Sequence, residues 1–146
     1  METKFNFNSQ VCSSRSQSER LLTLGLKKET ADMTIHVKND GHWYITAEPF
    51  YEWEVDFNAF PCLEEPDAII PAWSLHRLIN ICPYVIHTLP ALHLTMTSDS
   101  VFYCTEDNNE EFEKPFSRFT NMYDNFIETI EWLINEGYFN NEYLEE

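Results

Sequence analysis

The stretch TIHVKNDGHWYIT, residues 34–46, decides the fold class of this chain. Ile35 and Val37 alternate with Thr34, His36 and Lys38, the period of a strand that turns one face to a core. Asp40-Gly41 is the strong two-residue turn signal, so the stretch reads as an antiparallel hairpin. Working outward, FYEWEVDFNAF at residues 50–60 alternates even more cleanly. Tyr51, Trp53, Val55 and Phe57 share one face, and Glu52, Glu54 and Asp56 share the other. Period two with one wet face is the behaviour of an antiparallel sheet. LHLTMTSDSVFYCT at residues 92–105 reads as a second hairpin, with Leu92, Leu94 and Met96 alternating with His93, Thr95 and Thr97. Residues 58–70, with two prolines and Glu64-Glu65, read as a loop, and so does the acidic segment at 106–115.

Three helices fit between these strands. In SRSQSERLLTLGL, Ser16 and Glu19 make a capping box, and Gly25 stands where a helix ends, which predicts a helix over 17–24. In PAWSLHRLINICP, Ser74 is the expected N-cap, while Trp73 and Leu78 are the two ends of a hydrophobic staple. Pro83 stops that run, because it has no N–H to give and disfavours helix at Cys82. A longer helix near the C-terminus carries a stripe of Tyr123, Phe126, Ile127, Ile130, Leu133 and Ile134, with Asn121 or Thr120 to cap it and Gly137 to end it. The order has no strand–helix–strand alternation. The expected architecture is therefore α+β: a mainly antiparallel sheet built from hairpins, with a short N-terminal, a short central and a longer C-terminal helix packed on one face. The 146 residues fit a single domain, 1–146, in which residues 1–13 form a flexible arm or an edge strand.

Charge narrows the function. There are 25 acids against 9 Lys and Arg, a net charge of -16. Residues 1–38 carry +2 and residues 39–146 carry -18, so the body of the chain repels phosphate. Direct nucleic-acid binding is not expected, since it needs clustered Lys and Arg. The four cysteines make no C-x-x-C pair, and Cys82 and Cys104 lie in apolar runs as small core residues. METKFNFNSQ lacks the apolar stretch of about 7–15 residues that a secretion signal needs. No window approaches the ~18 apolar residues of a membrane span. A cytoplasmic, reduced setting without membrane contact is expected.

The search for chemistry yields binding features and no catalytic group. Residues two apart on a strand stand roughly 6.5–7 Å apart on one face. Glu52, Glu54 and Asp56 therefore form a row of carboxylates. Its plain reading is a solvated face that discourages edge pairing; the sharper one is a phosphate mimic offered to a basic partner, and a metal site is the third. His36 and His42 flank the turn and are expected to face each other, but no histidine spacing matches a metal motif, and no metal or cofactor is expected. There is no nucleophile elbow, P-loop or dinucleotide fingerprint, so no catalytic residue is assigned and the chain leans away from enzymes. A pocket lined by Trp43, Trp53 or Trp73 is the feature that an enzyme or ligand-binding domain would need. Trp132 points about 200° away from Ile130, onto the polar face of its helix. It either packs under a neighbouring part of the chain or anchors an interface, including that of a homodimer.

Three phrases carry a resemblance. They are Leu24-Gly25-Leu26 with Thr30-Ala31-Asp32-Met33, Pro71-Ala72-Trp73-Ser74-Leu75 with Leu78, and Trp132-Leu133 with Gly137-Tyr138. Together they resemble a family of small, uncharacterised proteins of Bacteroides-type gut bacteria, often found in prophage-like or other mobile regions. The resemblance implies an intracellular, bacterial, phage-related setting and transfers no functional residue. The expectation is a small acidic accessory protein that acts by binding another protein, with Glu52, Glu54, Asp56 and Trp132 as candidate contacts.

Overall fold

The structure, a computed structural model, describes residues 10–49, 68–97, 100–105 and 121–146. The fold is α+β, with three helices and two small antiparallel sheets. The single sheet expected from the sequence is thus two three-stranded pieces among the described residues. The first has the order β2-β1-β3, with β1 at Met33–Val37, β2 at Trp43–Thr46 and β3 at Ala68–Ala72. The second has the order β4-β5-β6, with β4 at Val85–Ile86, β5 at Leu92–Met96 and β6 at Val101–Thr105.

Over residues 68–70, β3 corrects the reading of 58–70 as a loop, since AIIPA pairs along β1; residues 58–67 lie outside the described residues. Pro61, Pro66 and Glu64-Glu65 carried the loop reading up to residue 70, and Pro71 beside it gives no ladder hydrogen bond. Trp73, two residues on, sends its N–H and C=O to Ser13 and so away from β1. Backbone groups of residues two apart point the same way, so the nitrogen of Pro71 also faces outward and no β1–β3 bond is lost.

The helices start where side chains can satisfy exposed backbone N–H groups. α1 spans Arg15–Thr23, and its capping box is Ser14 with Gln17, two residues before the expected Ser16 and Glu19. Both patterns are present in the sequence. The earlier start wins because it buries Ser18 against Ser13 (Oγ to Oγ, 2.8 Å) and lets Gln17 reach Asp124 (2.8 Å). α2, Leu75–Ile81, has Ser74 as its N-cap, and Trp73 and Leu78 are both fully buried. Asp32 accepts from the backbone N–H and the hydroxyl of Ser74, which ties the cap to the entry of β1. α3, Met122–Glu136, begins at Asn121, whose side chain accepts from Tyr123 N and Asp124 N. It ends at Gly137 in the left-handed region (φ +78°), where Tyr138 N–H reaches back to Leu133 O at 2.8 Å.

The main core lies around α3, which packs against α1, α2 and β6. Leu21, Trp73, Leu78, Val101, Tyr103, Phe126, Ile130 and Leu133 meet there. The Tyr103 hydroxyl donates to Pro83 O at 2.7 Å, and burial pushes its pKa upward, so the phenol stays protonated. The chain's last residues close on the α1 exit: Lys27 N–H donates to Tyr143 O and Glu145 N–H to Gly25 O. A second, smaller cluster of Cys12, Ile35, Ile70 and Ala72 covers one face of the first sheet. Cys12, Cys82 and Cys104 are all buried and outside any disulfide, as small core residues should be.

Candidate binding groove beside the first hairpin

The β1–β2 turn differs from the expected two-residue loop, and the difference builds the site. Lys38 N–H donates to His42 O at 2.8 Å, and Gly41 N–H donates to Lys38 O at 3.0 Å. The loop therefore takes three residues, 39–41, with Gly41 at φ +87°, a conformation that side-chain-bearing residues rarely adopt. The extra residue shifts the register by one. Ile35 stands opposite Ile45 and Val37 opposite Trp43. A two-residue loop would have turned Trp43 and Ile45 to the other face, since a one-residue slip exchanges the faces of a strand. The three-residue loop gathers Ile35, Val37, Trp43 and Ile45 on one side.

Residues 10–14 form the facing wall, held by side-chain and backbone bonds. Ser13 N–H donates to Trp73 O at 2.8 Å, and Trp73 N–H donates to Ser13 Oγ at 3.0 Å. Asn121 Nδ2 donates to Gln10 Oε1 at 2.9 Å, and the Tyr123 hydroxyl donates to Gln10 O at 3.2 Å. Of the segment 1–13, expected to be an arm or edge strand, residues 10–13 are pinned to the ends of β3 and α3, and residues 1–9 lie outside the described residues. Between this wall and the sheet lies a groove of about 650 Å³, lined by Val11, Cys12, Ile35, Val37, Trp43 and Ile45 and bordered by Ser14 and Arg15. Its volume falls within the roughly 300–1,000 Å³ of small-molecule sites. Trp43 is 64% exposed and Val11 53% exposed.

The chemistry within reach is meagre. Burial, with the negative charge of Asp32 adding to it, pushes the Cys12 thiol up to about 11, so at neutral pH it is a thiol and not a nucleophilic thiolate. Arg15 forms an exposed pair with Glu19 at 3.2 Å. Among the described residues, the walls of the groove are mostly apolar.

The expected pairing of His36 with His42 is overturned by the same register. His36 is opposite Tyr44, on the face away from the groove. Its ring is buried, stacks on Tyr44 at 4.5 Å, and shares a hydrogen bond with Thr46 Oγ1 at 3.1 Å. Burial lowers its pKa, while the carboxylate of Glu48 acts in the opposite direction. His42 is exposed and pairs with Asp40 at 2.7 Å. That hydrogen bond holds the Asp40 carboxyl below the usual carboxylate range. Among the described residues, no group of three His, Cys, Asp or Glu side chains is placed to hold a metal ion.

Of the three tryptophans proposed to line a pocket, Trp43 lies in the groove, Trp73 lies in the core, and Trp53 is outside the described residues. Glu52, Glu54 and Asp56 and the acidic segment at 106–115 are also outside them. Trp132 packs within the chain. Its ring lies 5.8 Å from that of Tyr103 and 5.7 Å from that of Tyr138, and the side chain is half-buried. The groove residues Val11, Cys12, Ile35, Val37 and Ile45 were not singled out as a site from the sequence. The usable signal was that only a three-residue loop places the four large apolar side chains of the hairpin together.

No protein-family model matches this chain, and no curated protein or solved structure matches it either. No helix among the described residues is long and apolar enough to cross a membrane.

Proposed function

We propose that this chain is an acidic, non-catalytic intracellular interaction protein that binds apolar side chains of a protein partner in the groove beside β1 and β2. The observation that supports this reading is Trp43, a large indole left 64% exposed at the mouth of an apolar groove. Indole rings standing over desolvated pockets are among the commonest anchors of protein interfaces. Phage or mobile-element origin, as an accessory factor, belongs to the same reading and is supported by the three phrases described above; the genes flanking its own are the observation that bears on it. Two other readings are separable from the leading one. A small apolar ligand would suit the groove's volume. A nucleic-acid mimic would act through Glu52, Glu54 and Asp56 and through the net charge of -16.

One experiment separates the three. A partner recovered from bacterial lysate on the immobilised chain is purified, and its affinity is measured for the native chain, for Trp43→Ser and for a Glu52→Gln, Glu54→Gln, Asp56→Asn triple variant. The groove reading expects Trp43→Ser to weaken binding tenfold or more, in line with a lost anchor worth about 2 kcal/mol, with modest salt dependence. Affinity that ignores Trp43 yet collapses in the triple variant and in salt overturns it in favour of the mimic. Failure to recover any partner, with a small apolar molecule quenching Trp43 fluorescence, overturns it in favour of a ligand pocket.

A further inference from the structure

We draw no further inference here: the strongest candidate, the apolar groove between the β1–β2 face and residues 10–15 as the seat of one particular occupant, belongs to the site already described, and nothing in the structure shows what covers it.

Discussion

Helix α3 and the β1–β2 hairpin are both amphipathic, yet they use their apolar residues in opposite ways. α3 buries seven of its fifteen residues, including Asn125 and Thr129 from the side that looks polar in sequence. Its apparent outlier, Trp132, is taken up by Tyr103 and Tyr138. The hairpin keeps Trp43 and Tyr44 exposed, 64% and 45%, although its inner residues Ile35 and His36 are buried. An aromatic on a polar helix face is thus satisfied by its own chain, whereas one on an apolar strand face is left outside. Burial is concentrated around α3, while the hairpin keeps two aromatic rings in solvent.

The largest test of this division is Trp73, which joins the two regions. It is fully buried, its Nε1 donates to Thr30 Oγ1 at 2.9 Å, and its backbone holds the wall of the groove through Ser13. Trp73→Ala should destabilise the fold by about 3–5 kcal/mol, as for other buried aromatics. Urea unfolding that shows a loss below about 1 kcal/mol would contradict its place in the core. Trp73→Phe keeps most of the volume and gives up the Thr30 bond, so it should cost less than the alanine.

Next in size is the cap of α3. Asn121→Ala removes the acceptor for Tyr123 N and Asp124 N and the donor to Gln10. A lost cap of this kind costs about 0.5–2 kcal/mol. Asn121→Gly should cost only a few tenths of a kcal/mol if capping by the backbone is all that matters. Equal losses for alanine and glycine would show that the tie to residue 10, and hence the groove wall, contributes to stability in its own right.

Much of this arrangement was legible in sequence, and the exceptions have physical causes. Ser74 and Gly137 were readable, and Asn121 was one of two candidates beside Thr120, because a cap or stop is a local contract between one residue and the nearest backbone groups. The β1–β2 and β5–β6 hairpins followed from alternation, whereas β4, two residues long, is too short to show a period. β3 is hidden because the turn signals Pro61, Glu64-Glu65 and Pro66 run up to it, and Pro71 inside it reads as a break until its neighbour's hydrogen bonds show which way it faces. α1 starts two residues before the expected position because two capping boxes overlap, and tertiary bonds from Ser18 and Gln17 choose between them. The groove is hidden for a subtler reason. Asp-Gly favours a two-residue loop, whereas the register that brings Ile35, Val37, Trp43 and Ile45 together needs three residues in the turn.

Acid acts on the hairpin through His36. Burial lowers its pKa in the folded chain, whereas the unfolded chain takes up the proton near the ordinary value of about 6.5. The unfolded state therefore binds more protons between the two values, and stability rises with pH across that window. The contribution of neutral His36 is complete above about pH 6.5 and is lost as the pH falls toward the lowered folded value. Unfolding free energies measured at about pH 7.5 and pH 5.5 should fall more for the native chain than for His36→Gln, with the shared carboxylates cancelling in the comparison. Identical pH slopes would show that the ring is hydrated or held equally well in its charged form.

The smallest effect on stability is expected at the residue with the largest proposed effect on binding. Trp43 is mostly in water already, so Trp43→Ser removes little buried surface and should change the unfolding free energy by no more than about 0.5 kcal/mol. Val37 is half-buried and shares the groove face, so Val37→Lys should lower stability measurably more while blocking the same groove. If Trp43→Ser instead costs as much as the loss of a core side chain, the indole is covered in the folded chain and the groove is part of the core. The contrast between α3 and the hairpin would then vanish. A variant that folds as well as the native chain and no longer holds its partner would place function and stability on separate residues, because an exposed indole contributes its burial energy only when a second molecule supplies the other wall.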